Sequence, residues 1–170
     1  YKAEQTKIIT ESIYGGRTMK LSTKGRYGLK AIVDLAVHSR DGQVSLNSIA
    51  ERQGLSENYL EQLFAALKRA KLVKSVRGAQ GGYLLGNSPQ NISVGDVLRA
   101  LEGSMAPTEC VSEDPSSPAC CNTYNCVTRS VWEKIRDGIN NVIDNITLQE
   151  LVDDYIRSNN ERINKQELVE

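Results

Sequence analysis

The sequence predicts a mainly helical fold with one small β-hairpin and a long helix set apart from the rest. Three observations carry this. Apolar residues recur at three- and four-residue spacing through successive segments, which is the period of a half-buried helix. The stretch "LVKSVRGAQGGYLLG" (72–86) instead alternates like a strand, breaks at a Gly-rich tip and resumes. A final apolar stripe, from Val127 to Ile146, is narrow enough to seat a single partner helix.

Taken in order, residues 1–18 read as a leader or an added extension, because a clear pattern begins only at Met19, the expected natural start. "RYGLKAIVDLAVHS" follows, with Leu29, Ile32, Val33, Ala36 and Val37 at helical spacing and "RDG" ending the helix. The next run, "SLNSIAERQGLSENYLEQLFAALKRAKLV", reads as two helices around a tight turn. Ser45 caps the first, whose inward residues are Leu46, Ile49 and Ala50; Gly54 supplies the positive φ that ends it. Ser56 caps the second, with Glu57 in its first turn and Leu60, Leu63, Phe64 and Leu67 as its buried stripe.

Two helices joined this way, followed directly by a hairpin, make a winged helix-turn-helix, whose second helix enters the DNA major groove. The outward positions Ser56, Asn58, Tyr59, Glu61 and Gln62 are the candidate base-reading residues. Gln pairs with adenine edges and Glu accepts from cytosine N4. Lys20, Lys24, Arg26, Lys74 and Arg77 are candidates for backbone contacts, and Gly78 and Gly81 let the wing tip approach the minor groove. Charge agrees. Residues 19–86 carry 11 Lys/Arg against 5 Asp/Glu, a net of +6, whereas residues 87–170 carry 7 against 14, a net of −7. A polyanion is expected to meet the first half only.

"SVGDVLRALEG" (93–103) predicts a short helix capped by Ser93, with Val94, Val97, Leu98 and Leu101 inside. After the loop that follows, Val127, Val131, Ile135, Ile139, Val142 and Ile146 line one seam of a long helix, suited to pairing with its copy in a homodimer. "ITLQELVDDYI" adds a short last helix. The expected organisation is therefore a DNA-binding domain at 19–103, a cysteine-rich loop at 104–126, the dimerisation and C-terminal helices at 127–157, and a polar tail at 158–170.

The chain's four cysteines, Cys110, Cys120, Cys121 and Cys126, all fall in "ECVSEDPSSPACCNTYNC". The N-terminal residues lack the apolar core of a secretory signal, which places the chain in the cytoplasm, where clustered thiols more often bind metal or do redox chemistry than form structural disulfides. The paired C-x2-C knuckles of zinc sites are absent. Zinc, a thiol switch and an iron–sulfur cluster remain open on spacing, and cluster iron accepts thiolates at loose spacings.

The runs "MKLSTKGRYGLKAIVDLA", "SIAERQGLSENYLEQLF", "LVKSVRGAQGGYLLG", "VGDVLRALEG" and "NCVTRSVW…NITLQELV" resemble the IscR family, part of the Rrf-type group of winged-helix regulators, over roughly residues 19–155. The resemblance implies a homodimeric transcription regulator, with a double-stranded operator as partner and no small-molecule substrate. It also implies a 2Fe-2S cluster, sensed so as to control cluster-assembly genes. Cys110, Cys120 and Cys126 match the family's three cluster cysteines. The family's fourth ligand, a His three residues after the last cysteine, is here Arg129, which has no lone pair to give. Cys121 is the available substitute. The alternative within the group is a repressor responding to cysteine metabolism, thiols or nitric oxide without that cluster. The nitric-oxide sensors differ by an Asp near the first helix, where this chain reads "KGRYG".

An enzyme is not expected. There is one His, no nucleophile motif and no phosphate-binding "GxxxxGK". No apolar run approaches the roughly 20 residues of a membrane span.

Overall fold

A computed structural model describes residues 22–78, 81–117 and 126–167. Lys20, Cys120, Cys121 and the whole of residues 1–18, expected to be a leader or extension, lie outside the described residues. The elements run α1 (Thr23–His38), α2 (Leu46–Gln53), α3 (Glu57–Arg69), β1 (Val73–Val76), β2 (Gly82–Leu85), α4 (Val94–Glu102), α5 (Arg129–Asp144) and α6 (Leu148–Glu167), with short 3-10 turns at Ser39–Asp41, Pro89–Asn91 and Glu109–Val111. Among the described residues, no helix is long and apolar enough to cross a membrane.

Local chemistry sets the helix starts. Ser22, Ser45, Ser56 and Ser93 each place a hydroxyl on an otherwise unpaired N–H of the first turn. At Ser93 the bond is reciprocated by Asp96, a complete capping box. Gly54, at φ 63°, ends α2 in the left-handed region that a Cβ would disfavour.

One main core holds the N-terminal half together. Ile32 and Leu35 of α1, Ile49 of α2, and Leu60, Phe64 and Leu67 of α3 are fully buried, with Val97 of α4 beside them. Burying each large side chain contributes roughly 1.5–3 kcal/mol. The hairpin is antiparallel, pairing Val73 with Leu85 and Ser75 with Tyr83. Val44, just before α2, bridges to Tyr83 by two backbone bonds of 3.0 and 2.8 Å, so the wing is sewn to the start of the helix-turn-helix. Phe64 meets the Tyr83 ring edge-on at 4.8 Å, fixing the wing to the second helix.

The C-terminal part departs from the sequence expectation in three ways. The last helix does not stop near residue 157 before a polar tail; it continues to Glu167. The Asn, Glu, Arg, Lys and Gln residues of its sequence beyond 157 give no apolar stripe to read, although most are adequate helix formers. Nor does this helix belong only with the dimerisation helix. Leu148 and Val152 are buried in the main core, and Leu148 N–H donates to Ile92 O at 2.8 Å. Finally, the expected single seam of α5 divides. Ile139 and Ile146, with Ile143, pack against Val94, Leu98 and Met105, while Val127, Val131, Ile135 and Val142 stay exposed.

Candidate nucleic-acid interface and cysteine segment

Most of the candidate DNA-contact residues are exposed. Asn58, Glu61 and Gln62 are exposed on one side of α3, as are Lys68 and Arg69 in its last turn. Lys68 Nζ donates to Ser75 Oγ at 2.6 Å, tying the end of this helix to β1. Lys74, Arg77 and Gly78 are exposed along the wing. Gly81 N–H donates to Gly78 O at 3.0 Å, closing its tip. Lys24 and Arg26 are exposed in the first turn of α1.

Two candidates carry other duties. Ser56 Oγ accepts from Tyr59 N and so acts as the cap of α3. Tyr59 is half-buried: its ring meets Tyr27 edge-on at 6.2 Å, and its hydroxyl is buried without a partner. This tyrosine spends its surface on packing α3 against α1.

Sequence reasoning passed over two polar clusters that hold this face. Asp34, fully buried on α1, accepts from Arg52 Nε and Nη2 at 3.0 and 2.6 Å and from Gln53 Nε2 at 2.9 Å. His38, the chain's single histidine, lies against it with Nδ1 2.9 Å from Asp34 O. The carboxylate raises the Arg52 pKa above its ordinary value by hydrogen bonding. A buried charge survives in a core only when paired in this way. The one available signal was an Asp inside the apolar stripe "IVDLAV". The second cluster joins the ends of α1 and α4. Glu102 Oε1 accepts from Ser22 N, Ser22 Oγ and Gly25 N at 3.0, 2.7 and 2.8 Å.

The two described cysteines flank α5. Cys126 lies just before it, and its carbonyl accepts from Arg129 N at 3.2 Å. Its sulfur is 3.3 Å from Thr128 Oγ1. The hydrogen bond from the Thr128 side chain, then those from the Thr128 and Arg129 backbone, together with the Arg129 charge, hold the thiol pKa below its ordinary value. Cys110 sits in the Glu109–Val111 turn, half-exposed, with its sulfur 3.2 Å from Thr108 Oγ1. That turn is docked on α5: Val111 is buried, Arg136 Nη1 donates to Val111 O at 3.1 Å, and Asn140 Nδ2 donates to Glu113 Oε1 at 3.1 Å. Arg129 is paired with Glu133 at 2.8 Å, one turn along α5. Among the described residues no three metal-binding side chains converge.

A family model described as Rrf2, iron-dependent transcriptional regulator, matches residues 21–154. The chain belongs to the Rrf2 family. Two relatives are similarly close. The HTH-type transcriptional regulator CymR of Bacillus subtilis is 47% identical over 133 residues, covering 78% of this chain and 89% of that protein. The HTH-type transcriptional regulator IscR of Pectobacterium carotovorum is 46% identical over 134 residues, 79% of each. Solved structures divide the same way. That of CymR (YrzC), the global cysteine regulator of B. subtilis, superposes with a TM-score of 0.64 at 44% identity, covering 79% of this chain and 96% of that one. That of T. potens IscR does so with a TM-score of 0.63 at 52% identity, covering 80% and 88%. This Rrf2 protein is thus a winged-helix, DNA-binding transcriptional regulator and not an enzyme.

Proposed function

We propose that this Rrf2 regulator is a cytoplasmic homodimer that senses iron–sulfur status through a cysteine-ligated 2Fe-2S cluster and controls cluster-assembly genes. The observation that carries the reading is the pair of half-exposed thiols on the α5 scaffold. Cys126, its thiol pKa held below the ordinary value by Thr128, lies at the helix N-terminus, and Cys110 is in a turn pinned to the same helix by Arg136. Thiolate is the donor that cluster iron requires, so these residues fit the group. Cys110, Cys120 and Cys126 would hold it, with Cys121 as the fourth ligand in place of the family's histidine.

When bound, the cluster supplies soft, oxidisable cross-links between the thiolates. The protein's part is to turn that occupancy into a DNA-binding geometry. With the site occupied, the 104–126 segment would be fixed against α5, where Arg136 holds Val111, and the ion pair of Arg99 with Asp144 joins α5 to α4. The exposed residues Val131, Ile135 and Val142 face the second copy, so the setting of α5 fixes the spacing of the two recognition helices. Asn58, Glu61 and Gln62 read bases, while Lys20, Lys24, Arg26, Lys74 and Arg77 neutralise phosphates. Ser56 and Tyr59 support α3, and Gly78 and Gly81 allow the wing its close approach. Arg77→Ala should lower the salt slope of binding by about 1.

The second reading, a repressor answering to cysteine or thiol status without a cluster, is favoured by the equal closeness of CymR and by Arg129 at the family's histidine position. Anaerobic purification with an absorption spectrum and iron and sulfide analysis separates the two. Brown protein with matched iron and sulfide supports the cluster, and its loss in Cys121→Ala makes Cys121 the fourth ligand. Colourless protein after reconstitution leaves the thiol reading.

A further inference from the structure

The first turn of α1 contains no acidic residue of its own, yet its N-terminal N–H groups need an acceptor and its dipole favours a negative charge. Glu102, 80 residues away in sequence, supplies both through the three bonds to Ser22 and Gly25. Ser22 Oγ passes the chain on by accepting from Lys24 N at 3.0 Å. The approach is close by design of the sequence. A Cβ on Gly25 would fall 2.6 Å from Glu102 Oε1, and one on Gly28 would collide with Leu101. A helical glycine costs roughly 1 kcal/mol relative to alanine, a cost that the intimate contact of α1 with α4 explains.

The same turn of α4 faces the cysteine segment. Arg99, one turn earlier, pairs with Asp144 at the end of α5. Gly103 closes the helix on Arg99 O, and two residues on, Met105 is buried against Val94 and Leu98. The last two turns of α4 therefore grip the start of α1 on one side and α5 on the other.

We infer that Glu102 is a positioning residue: it holds the first turn of α1, and with it Lys24 and Arg26, where they meet the DNA backbone, and it links that placement to the cysteine segment beginning next to it. The inference rests on the reading of Lys24 and Arg26 as phosphate contacts. Neither cation has an ion-pair partner among the described residues, so their charge is available to DNA.

The test is a double-mutant cycle on the full-length protein. Affinity is measured across a salt series with a DNA duplex selected against the wild-type protein from a random-sequence pool. Lys24→Ala with Arg26→Ala should lower the salt slope by about 2 in the wild-type background. Glu102→Ala should lower affinity about tenfold and the slope by a similar amount, since each phosphate contact contributes about one counterion. Adding the two cation replacements to Glu102→Ala should then change the slope no further. Glu102→Gln, whose amide oxygen still accepts from Ser22 and Gly25, should retain the wild-type slope. Gly25→Ala, which favours the helix while forcing the carboxylate away, should reproduce Glu102→Ala and serves if that variant does not fold. A slope that still drops by about 2 when the cations are removed from the Glu102→Ala or Gly25→Ala protein overturns the inference alone. No drop in the wild-type background overturns the phosphate reading and the inference with it.

Discussion

The two halves of this regulator are finished to different degrees. Around α1 to α3 every large apolar residue has a neighbour, each helix start is capped, and the one buried carboxylate is satisfied by two side chains. Around α5 the opposite holds. Val131 is 50% exposed and Val142 58%, and Cys110 and Cys126 stand half-open at the helix margin. The first half is a self-sufficient core. The second presents exposed apolar side chains and accessible thiols, the surface on which the proposed dimer and the proposed cluster depend.

That contrast can be broken by experiment, most forcefully in the core. Phe64→Ala removes the ring on which α1, α3 and the wing meet and should cost about 3–5 kcal/mol, read from urea unfolding. A loss below 1 kcal/mol would mean that the half is less tightly integrated than its burial implies. Asp34→Ala should cost about 2–3 kcal/mol, less than for a fully buried pair because Arg52 reaches water, and the same unfolding series measures it.

Across the boundary the response should change in kind. With α5 as the seam of the proposed homodimer, Val131→Lys combined with Ile135→Lys should yield monomer in sedimentation, while changing the unfolding free energy of the dilute monomer by no more than about 0.5 kcal/mol. Persistence of the dimer would remove α5 as its seam. In metal-free protein, Thr128→Ala should move the pH profile of Cys126 alkylation upward, because the lost hydrogen bond favoured the thiolate. The sign for stability follows. A thiol whose folded pKa is depressed contributes above the unfolded value and loses that contribution as pH falls through the folded one, so the variant should show a weaker pH dependence. Smallest of all, Arg129→Ala removes a half-exposed pair with Glu133 and should alter stability by about 0.5 kcal/mol or less.

The difference between the halves also explains what was legible in the sequence. Ser45, Ser56, Ser93 and Gly54 act within a few residues of themselves, so their roles could be read directly, as could the stripe Leu60, Leu63, Phe64 and Leu67. Glu102 acts on Ser22 across 80 residues, and nothing local in "LEG" indicates it. Asp34 interrupts an apolar run because its partners, Arg52 and Gln53, arrive from a different helix. The α5 stripe was visible but not its division, since periodicity reports that a residue is apolar and not which of two neighbours receives it. The candidate site was half legible for a related reason. The DNA face is exposed chemistry at helical spacing, whereas the docking of the Cys110 turn depends on Arg136 and Asn140, polar residues with no motif to mark them.

The place of Leu148 and Val152 has a consequence in time. They fill the core that α1 begins, so the most N-terminal described helix waits for one of the last segments to be synthesised. Chains are made from the N-terminus onward and domains fold as units, so a nascent chain has already emitted every cysteine before its DNA-binding half can close. Order of synthesis thus places all four cysteines on the chain before the core that carries the helix-turn-helix is complete.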